Sequence, residues 1–428
     1  MNVAISSWAG TTTVHPIGVA ALVACIIAVF FLKKHRIIIP LLALIIVIPS
    51  AQRVVIASID FSFLRILILI ILARIFFKKH NRGLSFTRAD TYVLLWMIWG
   101  IFSYGVLYDG FSGFVSRTGF MIEAVGAYYI GRVYIRTPES FNDIVIFIAK
   151  LSVPIMIFFL VERSTGRNMF SVFGGVHEFT LIRDGRLRCQ GPFSHPIMAG
   201  VFWASMLPWL VPLWYENIIA RWKILLFAVS ITVIVLNTAS STPVMAIIFG
   251  VIGFSLFKKR NLTPTIRWGI LISLPFLHLI MEKPVWHILA RVNVVGGSTG
   301  WHRYFLIDMF VEHVSEWWLF GTTATAHWGR GLGDITNQYV LEGVRGGLLG
   351  FILFIMILVS VFSLIGKKIK TENHRQLIFF YWVSGVVLFM HSMNFLAASY
   401  FGQVVSAFFL FLGITVSLAS SKNNPKVE

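Results

Sequence analysis

Apolar runs recur through this chain and constrain its fold more than any other feature. Stretches of roughly 17 to 22 residues, nearly free of charge, return from one end to the other, and each is long enough to cross a ~30 Å hydrocarbon core as a helix. Lipid offers no water to satisfy backbone N–H and C=O groups, so such runs are predicted to be helical. A β-barrel would show segments of about ten residues with alternating polarity, and the sequence has none. The expected fold class is all-α: a polytopic membrane protein with about 12–13 transmembrane helices and two long outer loops. The predicted spans cover 16–32, 37–57, 60–77, 91–107, 119–135, 141–161, 196–214, 222–238, 241–257, 267–282, 347–366, 376–396 and 401–420. Pro40, Pro49 and Arg53 interrupt the second, and the eighth and ninth nearly touch at "NTASST".

Only 13% of the 428 residues are charged, yet the net charge is +18. In a soluble chain that excess would point to nucleic acid. Here much of it sits in short loops, "KKHR" at 33–36, "KKHNR" at 78–82, "KKR" at 258–260 and "KKIK" at 367–370. Lys and Arg in short loops mark the cytoplasmic side, so the charge reads as a topology signal and no nucleic-acid partner is expected. With these loops inside, the N-terminus falls outside and the "SKNNPKVE" tail inside. Two connections, about 162–195 and about 283–346, fall outside. The N-terminus lacks the basic region of a cleavable signal peptide. Cys25 and Cys189 show no pairing or metal-ligand spacing, and no cofactor is expected. Residues 1–428 read as a single integral membrane domain without repeats.

The two outer connections are rich in Gly, aromatics, Arg and His, and connections this long are usually functional or disordered. Their aromatic content argues for packing. The first ends in "RDGRLRCQGPFSHP". Pro196 suits a first helical turn, and His195 is a cap or turn residue. Arg183, Arg186 and Arg188 would lie near the outer membrane surface. They either snorkel to headgroups or bind an anion, for which the guanidinium fork is matched to phosphate oxygens. Three arginines within six residues run against the positive-inside bias and favour the anion. The second connection holds a predicted amphipathic helix over 300–314, with Trp301, Phe305, Met309 and Val311 on its apolar side. "WWLFG" follows, then the Gly-rich "HWGRGLGD" with His327, Arg330 and Asp334, then a helix capped by Thr336 or Asn337. Asp334 would cap that helix or pair with Arg330, and Glu342 with Arg345. Arg65, Arg74, Glu123 and Arg132 fall in or near spans and should face partners on other helices or a cavity. His391 and Asn394 share a helix face that would reach the outer cavity.

Arg303 followed by an apolar-aromatic helix, "LFG", the Gly-rich loop, "TN-Y" and "G-LG", preceded by "GPFSHPIMAG", resembles the O-antigen ligase and Wzy-type O-antigen (exopolysaccharide) polymerase family over roughly residues 120–420. Ligases of that family commonly carry His directly before the Asn; here Thr336 stands there, which favours a polymerase-like member. The resemblance implies a glycosyltransferase in a bacterial inner (cytoplasmic) membrane with its active site facing the periplasm or outside. It would use a polyprenyl-diphosphate-linked oligosaccharide in the lipid bilayer, with a flippase and a chain-length regulator as partners. Arg186, Arg188 and Arg303 are then expected on the diphosphate, in place of a metal, since the outer loops carry no D-x-D pair. His327 and Asp334 are the candidate general bases, with His195 behind them. Arg330 and Asn337 are expected on the substrate side, Asn337 chiefly to fix the loop. The alternative is a transporter or flippase of a lipid-linked or anionic substrate. Transporters tend to show interrupted helices in two related halves, which this sequence lacks. A structural scaffold accounts poorly for loops rich in Arg, His and Trp.

Overall fold

The computed structural model describes residues 11–57, 59–108, 110–288 and 300–421. The sequence expectations for the N-terminus, for nearly all of the "SKNNPKVE" tail and for 289–299 of the second connection lie outside the described residues. The chain is mostly helical. Helix α1 (Pro16–Phe31) and α2 (Ile38–Val47) precede a hairpin of β1 (Arg53–Ile56) and β2 (Ile59–Ser62), which runs into α3 (Phe63–Phe77). Next come α4 (Arg88–Leu107), α5 (Phe111–Tyr134) and α6 (Pro138–Thr165). A second hairpin, β3 (Leu181–Arg183) and β4 (Arg186–Arg188), leads to α7 (Pro196–Tyr215), α8 (Arg221–Asn237), α9 (Ser241–Ser255) and α10 (Thr263–Ile280). Last come α11 (Gly300–Glu312), α12 (Val314–Trp317), α13 (Gln338–Thr371), α14 (Arg375–Asn394) and α15 (Gln403–Ser420).

Seven helices among the described residues are long and apolar enough to cross a membrane: α4, α6, α7, α10 with the turn before it, α13, α14 and α15. Each of the other six predicted runs also contains a helix, but a short or charged one. Helix α5 has 24 residues but carries Arg117, Glu123 and Arg132. The second predicted run fails over its latter half. Its helix ends at Val47, and Arg53 opens a hairpin instead. Pro49 has no N–H to continue a helical ladder.

Helix α15 is the core of the bundle, buried along nearly its whole length. It meets α5 at Gly131 and Gly413. A Cβ at either would run into the partner's carbonyls, at Leu410 and Tyr128 respectively, so small residues set the close approach. Helix α10, by contrast, buries no residue.

The two ends of the bundle differ in chemistry. The four basic clusters gather at one end. Arg36 faces Asp143 at 3.9 Å, Arg136 donates to the His80 and Arg82 carbonyls, Lys368 reaches Ser421 O, and Phe257 packs on Phe379. There too Arg132 is buried against Asp90 at 2.9 Å. Both hairpins, both long connections and the 395–402 turn gather at the opposite end. Among the intramembrane charges, Arg65 pairs across helices with Glu123 at 3.0 Å.

Helix α13 is broken at Gly347, whose φ of 63° and ψ of −167° are not helical. The break leaves carbonyls without intrahelical donors, and neighbours supply them. Trp99 Nε1 donates to Gly346 O at 2.6 Å and Ser103 Oγ to Arg345 O at 3.4 Å. The Leu348 N–H turns outward to Trp318 O at 2.8 Å. The first segment of α13 thereby belongs to the second connection and the rest to the bundle. A Cβ at Gly347 would collide with the Leu319 carbonyl, and a left-handed φ costs a non-glycine residue about 1–2 kcal/mol. Gly347→Ala is expected to lower the melting temperature of the purified protein by more than Gly166→Ala, where φ is also positive but the space is open. Equal shifts would show that the break does not depend on this close contact.

Candidate functional site

The first connection is held by a buried carboxylate. Glu162, in the last turn of α6, is 1% exposed, and no cation pairs with it among the described residues. It accepts from Thr180 Oγ1 at 3.2 Å, from the Gln190 N–H at 3.0 Å and from the Gly191 N–H at 2.9 Å. Thr180 and Gln190 flank the β3–β4 hairpin, so one side chain clamps both of its ends. The hairpin turns at Asp184 (φ 52°) and Gly185 (φ 70°), a two-residue turn of the kind Asp-Gly favours. Arg183 lies opposite Arg186, and Leu181 opposite Arg188. Opposed and alternate residues in such a ladder share a face, so all three arginines project from the same side. Arg186 is exposed. Arg188 is buried, with its Nε hydrogen-bonded to nothing among the described residues.

His195 sits behind the hairpin and caps α7. Its Nδ1 accepts the Ile197 N–H at 3.1 Å, as His15 caps α1 through Ile17. Burial, then the charges of Arg188 and Arg183, push the His195 imidazole down to about 3. A neutral ring whose Nδ1 accepts must carry its proton on Nε2. His195 is therefore a hydrogen-bond donor and not the reserve base expected from the sequence.

Arg303 on α11 reaches the same place from the second connection. Its guanidinium donates to Thr242 Oγ1 at 3.3 Å in the first turn of α9. Burial, and then the Arg183 charge, hold it below the ordinary guanidinium range; the same two causes lead for Arg188. Arg183 is thus a common neighbour of Arg188, His195 and Arg303. Among the described residues no carboxylate pairs with Arg186, Arg188 or Arg303, and Arg183 has only exposed Asp184, at 3.7 Å. The cluster is a concentration of unneutralised positive charge fed by both connections.

The second connection folds around its own small core, in which Phe310 stacks on Trp317 at 3.9 Å. The buried stripe of α11 is Leu306 and Phe310, while Trp301 and Val311 are exposed. Of the predicted apolar side, Phe305 and Met309 pack against that core at its edge. Apolar residues occur on most sides of this helix, and Trp317, Trp328 and the start of α13 select which are covered.

His327 and Arg303 are not brought together. His327 Nε2 lies 2.8 Å from Glu316 Oε2 and beside His313, just past the end of α11. Ten residues of helix, about 15 Å, separate that point from Arg303. Asp334 is at the Arg303 end. A Cβ at Gly331 would lie 3.8 Å from His302 Cε1, and the Asp334 N–H donates to Gly331 O at 3.3 Å. The next residue's carbonyl accepts from Ser399 Oγ at 2.8 Å, on the turn whose Phe401 packs on His195. The Asp334 carboxylate neither caps α13 nor pairs with Arg330, which is exposed. Asn337 is the cap, accepting from Tyr339 and Val340 and donating to Leu396 O. These bonds, with 1% exposure, give Asn337 a structural role in place of the expected substrate contact. Glu342 binds Trp96 and Gln338 rather than Arg345. His391 is buried against Tyr400 at 2.7 Å and does not open onto the site.

The sequence reading left Glu162, Glu316 and His177 out of the site, and counted Arg183 with the anion-binding arginines but not among those expected on the diphosphate. The Asp-Gly dipeptide flanked by arginines was an available hairpin signal. Among the described residues no group of three His, Cys, Asp or Glu side chains is placed to hold a metal ion. No protein-family model and no curated protein matches the chain.

The capping geometry fixes a pH dependence. An unfolded imidazole titrates near about 6.5, whereas folded His195 stays neutral down to about 3. Between those values only the unfolded chain takes up the proton. The contribution to stability is complete above pH ~6.5 and is lost progressively as pH falls toward the folded value. From pH 7 to pH 5 the melting temperature of wild type should fall more than that of His195→Asn, which retains a capping acceptor. Parallel declines would assign the titration to other groups.

Proposed function

We propose that this chain is a membrane glycosyltransferase of cell-surface polysaccharide assembly, polymerising or ligating polyprenyl-diphosphate-linked oligosaccharides at the outer leaflet of a bacterial inner membrane. The observation that carries the reading is the arginine cluster, in which Arg186, Arg188 and Arg303 pair with no carboxylate among the described residues, at the end of the bundle opposite the basic loops. Positive residues in short loops favour the cytoplasm, so the cluster faces outward. There the expected anionic group is the diphosphate of the lipid carrier. The family resemblance of the "GPFSHPIMAG" and "TN-Y" stretches points the same way, as do the seven helices, among the described residues, long and apolar enough to cross a membrane.

In this reading Arg188 and Arg303, with Arg183 and Arg186 at the rim, hold the diphosphate and neutralise the charge that grows as it departs. The His195 Nε2–H donates to a phosphate oxygen. Asp334 takes the proton from the acceptor hydroxyl. The hydroxyl oxygen bonds to the anomeric carbon, the bond from that carbon to the diphosphate oxygen breaks, and the polyprenyl diphosphate leaves with the electron pair. Guanidinium groups supply the electrostatics, so no metal is required. Arg330 lies on the exposed side of the Gly-rich loop, where the incoming glycan would pass. A flippase would deliver the substrate, and a chain-length regulator would set the extent of growth.

The test uses purified protein in nanodiscs, given lipid-linked oligosaccharide from the source organism with a chelator present, and products resolved by size. A ladder of growing glycans is expected for polymerisation; one added unit on a second acceptor would mean ligation. Arg188→Gln and Arg303→Gln should each lower the rate about 10²–10³-fold, and Asp334→Asn about 10²–10⁴-fold. His327→Ala should stay within a few-fold. Substrate moved across vesicles without any product would replace the enzyme with a transporter.

A further inference from the structure

Beside the arginine cluster lies a cavity of about 230 Å³ between the β1–β2 hairpin, α3, α5 and the 175–177, 194 and 401–402 segments. It is smaller than the ~300–1,000 Å³ typical of drug-sized ligands. Its polar lining includes Arg53, Asp60, Arg65, Glu123, His177 and Ser194. The charges hold one another in place. Arg53 pairs with Asp60, and Arg65 with Glu123 at 3.0 Å. Ser62 Oγ donates to Glu123 Oε1 at 2.7 Å. Two positive and two negative side chains leave the lining formally neutral, in contrast with the neighbouring cluster.

Two lining groups lack protein partners. Asp60 Oδ1 and Ser194 Oγ are buried and hydrogen-bonded to nothing among the described residues. An apolar occupant would leave both unsatisfied, at a cost in binding. A small anion would meet Asp60 and Glu123, and a small cation Arg53 and Arg65. A neutral ligand whose every hydroxyl both donates and accepts satisfies this mixed lining. Phe401 adds an apolar ring to the lining. The cavity adjoins the arginine cluster. Phe401 lines the cavity and packs on His195, and Ser194, also in the lining, precedes His195 in sequence.

Resting on the glycosyltransferase reading, we infer that this cavity is a saccharide subsite that seats one sugar ring next to the diphosphate. The arginines would then read the charged part of the substrate, and the cavity the first neutral ring beside it.

The experiment uses the full chain in nanodiscs and two probes measured separately. Saturation-transfer NMR reports binding from a panel of free glucose, galactose, mannose, N-acetylglucosamine and N-acetylgalactosamine. Calorimetry reports binding of inorganic pyrophosphate. At least one sugar is expected to bind, and Asp60→Asn, Glu123→Gln and the mild Ser194→Ala should each weaken it, the first two at least 10-fold. All three should leave pyrophosphate binding unchanged, which also shows that they are folded. Arg188→Gln should do the reverse. No saturation transfer from any of the five sugars, or a signal that survives all three cavity substitutions, overturns the subsite. Sugar binding sensitive to these substitutions in a protein that ignores pyrophosphate would uphold the subsite and remove the diphosphate assignment instead.

Discussion

The site depends on where one carboxylate is placed. Glu162 is buried at the end of α6 with three hydrogen bonds and, among the described residues, no paired cation. Removing a carboxylate from water costs several kcal/mol. Hydrogen bonds to a charged acceptor return about 1.5–3 kcal/mol each, so three together offset much of that cost. The arrangement stands only while Thr180, Gln190 and Gly191 remain in place, and those residues bracket the hairpin. The desolvation of one side chain is thus converted into positional order for Arg183, Arg186 and Arg188. Asn168 reinforces it by donating to Gly191 O at 2.8 Å. Two backbone N–H groups and the Thr180 hydroxyl, rather than an arginine, satisfy Glu162, and Arg186, Arg188 and Arg303 keep no carboxylate partner among the described residues.

Elsewhere the protein uses its few acids differently. Asp90 takes Arg132, with Tyr128 and Thr87 on the remaining lone pairs. Glu123 takes Arg65, and Asp60 takes Arg53. Each is a structural use of a guanidinium, with the geometry that buried pairs require. Arg188 and Arg303 depart from that pattern, pairing with no carboxylate among the described residues, as does Arg117, which instead lies over the Phe120 ring at 4.6 Å. A desolvated guanidinium without a counterion is costly to keep, and at the outer cluster an anionic ligand would compensate it. Functional sites are where such local conflicts are expected to survive.

Helical content was legible because apolar length and backbone satisfaction in lipid leave few alternatives. The latter half of the second run was misread because a run containing Pro49 and Arg53 remains hydrophobic on average while its local chemistry favours a turn. The candidate site was legible in part. Arginines near "GPFSHP" and Arg303 could be picked out by their side of the chain. That they meet around Arg183 depends on the hairpin register, and that His327 stands apart from Arg303 depends on the direction of α11. Neither is encoded in spacing along the sequence. Glu162 was invisible for a simpler reason. A single Glu at a helix end is ordinarily a solvated residue, and only burial distinguishes it.

The hairpin also orders its charges by depth. Arg186 and Arg188 are two residues apart on one strand face, about 6.8 Å, one exposed and the other buried. That backbone spacing is compatible with flanking two linked phosphates. Ile182, on the opposite face, is 69% exposed, and Phe179 before the hairpin is 63% exposed. At the surface of a bilayer those apolar side chains would seat in the headgroup–acyl boundary. The arginine face would then stand at the depth of lipid phosphates, the depth at which a diphosphate tethered to a membrane-embedded polyprenyl chain must lie. On the proposed reading, the exposed arginine would meet the group first, and the buried one would hold it beside Arg303 and the His195 donor.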